Sequence, residues 1–184
     1  MNKNHLNRLG TGMSQGICLS AVTRLDYVDE SRDYSSIANK IFRSFTQTGI
    51  QKNKPWIALI DENNYYWVEE YPHENPHYVL NGMIFGLFGV YEYSQFYQNV
   101  IAHNVFRAGI KTLEDNIGRY RCKTYPSYYC LKFGNNSIKY HHVHIEQLET
   151  LTDILQGNYF QQISSDFKGN INYNLMVGLL YPYP

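Results

Sequence analysis

Between Asp115 and Glu146 the chain carries no acidic residue, yet Arg119, Arg121, Lys123, Lys132 and Lys139 all fall there, interleaved with Tyr120, Tyr125, Tyr128, Tyr129 and Tyr140. Cations at this density suit an anionic ligand, and phenols offer flat apolar faces with hydroxyls that donate or accept. A solvated basic loop has the same composition, and aromatics interleaved with cations also suit single-stranded nucleic acid. An acidic stretch is its counterpart: Asp61, Glu62, Glu69, Glu70 and Glu74. Within it, Glu70-Tyr71-Pro72 sets a carboxylate beside a phenol in a rigid turn, the material of an acid and base set if it faces the basic segment. A strand end with solvated carboxylates accounts for the same residues.

A third group of candidates is Tyr140-His141-His142-Val143-His144, where His141 and His144 share one helical face. As a metal pair it would be short of ligands, because structural zinc takes about four and catalytic zinc three plus water. No Cys or carboxylate at supporting spacing completes the set, so hydrogen bonding between helices is the preferred reading, with no metal and no cofactor expected. Walker-type phosphate loops, dinucleotide fingerprints, zincin motifs and nucleophile elbows do not occur.

The composition narrows the class of partner. The 184 residues hold 16 Lys plus Arg against 16 Asp plus Glu, so no global basic field draws the chain to nucleic acid or a membrane surface, and charge recognition must be local. With 43% hydrophobic residues, 13 Gly and 6 Pro, the chain reads as one globular domain rather than a disordered or fibrous one. The 18 tyrosines exceed what packing alone asks for and suit a groove for a polar, flat-faced ligand such as a sugar. Cys18, Cys122 and Cys130 are too few and too irregular for a disulfide framework, and read as buried thiols. No apolar h-region occupies the N-terminus and no run of about 18 apolar residues occurs, so a soluble chain, cytoplasmic by default, is expected.

The elements that must position these residues are mostly helical. Apolar spacing from Ile17 through Ala21, Val22, Leu25 and Val28 predicts one helix and its inward face. After a break at Ser31 to Asp33, Tyr34, Ile37, Ala38, Ile41, Phe42 and Phe45 predict a second, ending near Gly49 and pairing with the first. Trp56 to Ile60, Asp61 to Asn64 and Tyr65 to Val68 read as strand, turn, strand. A third helix follows with Leu80, Met83, Ile84, Leu87, Phe88 and Tyr91 on one side. Its Gly82, Gly86 and Gly89 weaken it in isolation but admit a neighbouring backbone, which places it centrally. A fourth runs from about Gln95 to Tyr120 with Phe106, Ile110, Leu113 and Ile117 inward. The fifth starts near Tyr140 and carries His144, Leu148, Leu151 and Leu155; a sixth spans roughly 158–167, and an extended tail closes the chain. About six helices in successive pairs, interrupted by two connections longer than an ordinary bundle uses, 55–78 and 121–139, describe an α/α arrangement whose ligand surface lies where the loops gather.

Taken in order, five blocks carry a resemblance: Gly12-Met13-Ser14-Gln15-Gly16, Glu69-Glu70-Tyr71-Pro72, Val79-Leu80-Asn81-Gly82-Met83-Ile84-Phe85, Tyr129-Cys130-Leu131-Lys132, and Tyr140-His141-His142-Val143-His144-Ile145-Glu146-Gln147-Leu148. Over about residues 12–167 the chain resembles the C-terminal domain of D-glucuronyl C5-epimerases. The resemblance implies a mainly α fold, an (α/α) toroid-like set of paired helices with a β-hairpin insertion, as an incomplete toroid and a single domain over residues 1–184. It implies a partner that is an anionic uronic-acid polysaccharide such as heparosan, whose D-glucuronate is turned to L-iduronate within the polymer. Carried across motif by motif, the catalytic carboxylate and phenol fall on Glu70 and Tyr71, further tyrosines on Tyr129 and Tyr140, and substrate-binding positions on Lys132 and Asn81. The family's N-terminal β region has no counterpart in the sequence, which leaves open a fragment, a split subunit whose β region a separate chain supplies, or an incomplete epimerase machinery; family members are often dimers, so a homodimer is among the expected partners.

Chemistry gives these positions a rationale of their own. Inverting C5 removes a proton alpha to a carboxylate from one face and returns one to the other, so two acid/base groups must flank the ring. Charge building on the enolate calls for a cation, the role open to Lys132. A phenol titrates near 10 and acts as a base only where neighbours lower that value, which basic groups do. Where the family pattern reads Tyr-Asp-Leu-Arg, this chain has Tyr129-Cys130-Leu131-Lys132, exchanging a planar two-pronged carboxylate binder for a point charge. Two other outcomes fit the same residues: a glycan-binding or assembly module without turnover, and a polysaccharide lyase that expels the C4 oxygen after taking the C5 proton.

Overall fold

A computed structural model describes residues 10–49, 56–123 and 125–169; the expected extended tail after Gly169, and Pro55 at the head of the first long connection, lie outside the described residues. The chain is mainly α, with six helices and one two-stranded antiparallel sheet among the described residues. It divides into two compact units, Met1–Asn116 and Ile117–Pro184. The first holds α1 (Gly12–Val28), α2 (Ser35–Thr46), β1 (Ala58–Ile60), β2 (Tyr66–Val68), α3 (Leu80–Phe96) and α4 (Val100–Asn116). The second holds a 3-10 turn (Ile117–Tyr120), α5 (Ile138–Leu155) and α6 (Tyr159–Lys168).

In the first unit α3 is buried on nearly every side, as its glycines led one to expect. Gly86 and Gly89 let the backbone of α1 lie directly against it: a Cβ on Gly89 would come 2.1 Å from the Gly16 carbonyl oxygen, and one on Gly16 would come 2.4 Å from that of Phe85. No side chain fits in such a gap, so alanine at either position would force the helices apart.

That seam corrects the expected inward face of α1. The buried residues are Gly12, Gly16, Leu19 and Thr23, whereas Ile17, Leu25 and Val28 are 50%, 44% and 70% exposed. Branched side chains on the α3 side would hold the two backbones apart, so the apolar stripe turns outward. The helix also starts five residues before Ile17, at Gly12, because Thr11 and Ser14 form a reciprocal capping box, with the Ser14 N–H donating to Thr11 Oγ1 at 3.1 Å. That box satisfies donors the first turn would otherwise leave bare.

The remaining faces of the first unit follow hydrophobic spacing. Ala38, Phe42 and Phe45 are buried on α2 while Ile37 turns outward, and the helix stops at Thr46, short of Gly49. Phe106, Ile110 and Leu113 line the inner side of α4. That helix begins at Val100 rather than Gln95, because Gln98 takes a positive φ of 48° and Asn99 Oδ1 accepts the Ala102 N–H at 2.9 Å. The hairpin pairs Ala58 with Val68, Leu59 with Trp67 and Ile60 with Tyr66. Asp61 organises its turn, accepting the N–H groups of Asn63 at 2.9 Å and Tyr65 at 3.0 Å on Oδ1 and the Trp67 indole at 2.8 Å on Oδ2.

Several tyrosines prove to be framework. Tyr66 donates to the Phe45 carbonyl at 2.7 Å, and burial pushes its phenol well up. Tyr93 stacks on Phe42 at 4.6 Å and donates to Asn39; Tyr97 donates to Asp26 at 2.7 Å. Each buries an aromatic face, a contribution on the order of 2 kcal/mol, while its hydroxyl finds an acceptor.

In the second unit α5 and α6 pack together through Leu148, Leu151, Phe160 and Phe167, all at most 2% exposed; Leu155, expected inward, sits at the rim. Of the three cysteines, only Cys130 is buried; Cys122 is half-buried and Cys18 exposed, which corrects the expectation of three buried thiols. Cys18 faces outward because it shares the solvent side of α1 with Ile17. No described helix is long and apolar enough to cross a membrane.

Candidate active site

The first set of expected site residues follows β2 directly. Glu69 is fully buried. Its carboxylate accepts the backbone N–H of His77 at 3.0 Å and of Tyr78 at 2.9 Å, drawing residues 70–77 into a closed loop. Tyr78 sits at a positive φ of 53°, a conformation costly for an aromatic residue, and is steadied by its ring against Trp67 at 4.6 Å. Glu70 is 5% exposed and its side chain lies on Gly82, where a Cβ would come 2.6 Å from Oε2. The carboxylate therefore rests against the first turn of α3, where helix amides and dipole favour an anion. Asn81, one residue earlier, is 2% exposed with its amide 3.9 Å from Met13 Sδ.

Tyr71 is the open member of this set, at 39% exposure. Its ring lies 5.9 Å from that of His77, which in turn lies 5.7 Å from His73. These two imidazoles beside the phenol were missed from sequence. The available signal was the pair of prolines, Pro72 and Pro76, which bend the chain enough to bring residues four apart together outside a helix.

The second set lies on residues 121–140. Tyr129 and Tyr140, eleven positions apart in sequence, bring their rings to 4.4 Å. Three features achieve this. Tyr140 stands in the first turn of α5, capped by Ser137, whose Oγ accepts the Tyr140 N–H at 3.5 Å. Tyr129 is held in a small antiparallel knot by its N–H to the Asn135 carbonyl at 2.8 Å, closed at Gly134 with φ 59°. Ser127 then fixes the knot to the helix: its N–H donates to His141 Nδ1 at 2.9 Å, and its hydroxyl lies 2.9 Å from that atom and 2.8 Å from His144 Nδ1.

These histidines thus bind a loop to a helix, where hydrogen bonding between helices was expected. Burial pushes the His144 imidazole down to about 3, with His141 adding to the effect. His141 is lowered by the same desolvation, opposed by the Phe167 carbonyl. Both are therefore neutral near pH 7, the state in which Nδ1 of His141 can accept.

The basic segment is better balanced than its composition suggests. Arg121 pairs with Asp166 of α6 at 3.1 Å, an acidic partner lying outside the 115–146 stretch, so the five cations are not all uncompensated. The ammonium groups of Lys132 and Lys139 lie over aromatic rings, 5.2 Å from the Phe133 centroid and 5.9 Å from that of Tyr140, within reach of cation–π attraction. Tyr128, beside the Cys122 thiol, has its phenol raised by that neighbour's charge and hydrogen bond.

The sequence profile of the D-glucuronyl C5-epimerase C-terminus family matches residues 3–169. The chain belongs to that family. Glu70, Tyr71, Asn81, Tyr129, Lys132 and Tyr140 all fall inside the matched span. An uncharacterized protein of Methanocaldococcus jannaschii is 24% identical over 139 residues, covering 76% of this chain and 44% of that protein. The chain thus spans less than half the length of that relative.

Proposed function

We propose that this member of the C5-epimerase family acts on a uronic-acid polysaccharide, moving the proton at C5 of a D-glucuronate residue to give L-iduronate. The observation that carries the reading is the Tyr129–Tyr140 pair: two phenols from separate motifs, with rings 4.4 Å apart and two lysine ammonium groups on the same short stretch. In the proposed reaction a base takes the C5 proton, and the C–H electron pair moves into the adjacent carboxylate as an enolate. An acid on the opposite ring face then returns a proton to C5 and the carboxylate is restored. Glu70, Tyr71, Tyr129 and Tyr140 are the proton-transfer candidates. Lys132 offsets the enolate charge, and Asn81 is the further substrate-binding position.

A second reading, a glycan-binding module without turnover, is favoured by one observation. Glu70 is 5% exposed and Asn81 2%, the burial of residues that hold a loop to a helix rather than touch a sugar. Incubating the protein with heparosan in deuterated water, alone and with the product of the adjacent reading frame, separates the two. Deuterium appearing at C5, and its loss in Tyr140→Phe with glycan affinity kept, is the expected result. Binding without exchange selects the module, and new ultraviolet absorbance from a C4–C5 double bond selects a lyase.

A further inference from the structure

Away from these residues, the first unit has a cleft of about 320 Å³ lined by Gly10, Gln15, Lys40, Arg43, Gln47 and Trp56, with Ser44 and Ile57 completing the wall. The volume lies at the lower end of the roughly 300–1,000 Å³ typical of small-molecule sites. Neither Glu70, Tyr71 nor Asn81 takes part in it. Among the described residues two cations line it and no carboxylate does. Lys40 and Arg43 stand three apart on α2, neighbours on one helical face, where like charges repel. Among the described residues no ion pair neutralises either.

The cleft combines charge with directed donors. Gln15 curls over Gly10, where a Cβ would meet its Nε2 at 3.1 Å, so the glycine makes room for an amide beside the cations. Gln47, exposed just past the end of α2, supplies a second amide. Trp56 and Ile57, at 6% and 2% exposure, form an apolar floor. A guanidinium matches a carboxylate or sulfate with two parallel hydrogen bonds, amides recognise hydroxyls, and an apolar floor can lie against a sugar's C–H face. A simple inorganic anion would use the first of these alone.

We propose that this cleft is a second glycan site, a subsite that grips a carboxylate- or sulfate-bearing sugar of an acidic polysaccharide through Lys40 and Arg43, apart from the sugar undergoing reaction. The class of polymer rests on the function proposed above; the site itself rests on the cleft. The test is a titration of the full chain, labelled with nitrogen-15, by a glucuronate-containing hexasaccharide, following the side-chain amides of Gln15 and Gln47 and the Trp56 indole N–H. The expected result is that these signals shift. The Lys40→Gln, Arg43→Gln double variant should weaken binding about tenfold or more, the loss of one charge-assisted hydrogen bond or more. The same hexasaccharide with carboxyls reduced to alcohols should leave the signals unmoved.

Unshifted signals in the parent chain, undiminished affinity in the double variant, or equal binding of the reduced sugar would each overturn the proposal. So would sulfate ion alone binding as tightly as the hexasaccharide, which would make the cleft a plain anion pocket. The two readings fail separately. Binding here with no deuterium gained at C5 defeats the epimerase reading and keeps this site, whereas exchange at C5 with silent amides does the reverse.

Discussion

Tyr71 and Tyr129 each ride on an irregular loop, and the two loops are fastened by different chemistry. In the first, a buried carboxylate, Glu69, accepts two backbone N–H groups. In the second, a buried hydroxyl and its N–H are gathered by two neutral imidazoles, His141 and His144. Hydrogen bonds to an ionised group are roughly twice as strong as neutral ones. The first loop is therefore held by charge over a short span, the second by a neutral network that depends on burial. A carboxylate clamp tolerates the strained φ of Tyr78. A neutral clamp makes its loop sensitive to mild acid.

Breaking the first clamp should have the largest effect. Glu69→Ala removes the carboxylate that accepts the amides of His77 and Tyr78, and should lower the unfolding free energy by about 3 kcal/mol. Urea denaturation reads this, and protease cleavage within 70–79 in native buffer should appear with it. A variant that melts with the parent would show the loop to be held by other contacts.

Ser127→Ala is the corresponding break in the second unit. It keeps the backbone bond to His141 but removes the hydroxyl shared by both rings, for an expected loss of about 1–2 kcal/mol. The near-ultraviolet dichroism of the Tyr129–Tyr140 pair should fall as the knot loosens. Unchanged dichroism would detach the tyrosine geometry from Ser127.

The clamps also differ in their response to pH. With the His144 imidazole pushed down to about 3 in the folded chain and near 6.5 in the unfolded one, the unfolded chain binds the extra proton below 6.5. Stability from this group is thus intact above about 6.5 and declines as pH falls toward 3, by at most about 1.4 kcal/mol per unit. His144→Gln should flatten the slope between pH 7 and 5 in paired urea curves; an unaltered slope would assign the acid sensitivity elsewhere.

Much of this arrangement was legible where side-chain size and hydrophobicity act together. Phe106, Ile110 and Leu113 on α4, or Ala38, Phe42 and Phe45 on α2, announce their buried faces by spacing alone. α1 was misread because its packing face begins with Gly12 and Gly16, which carry no hydrophobic signal, while Ile17, Leu25 and Val28 mimic a core stripe on the open side. The family blocks pointed to Tyr129 and Tyr140, and the structure brings those two rings together. Ser127 gave no such sign, because its partners lie 14 and 17 residues away and a lone serine between Pro126 and Tyr128 reads as ordinary loop. Asp166, which neutralises Arg121, was equally hidden by its distance along the chain.

The contact between Gly16 and Gly89 carries a lesson for anyone altering this chain. Along the outer flank of α1 the alphabet is open, and Ile17 or Leu25 can be exchanged for polar letters at little risk. At Gly12 and Gly16 on the inner flank it has shrunk to one letter, since even a methyl group on Gly16 would land 2.4 Å from a carbonyl oxygen. A library that randomised the whole helix would return a sequence half free and half frozen, with the frozen half tracing the line where two backbones touch.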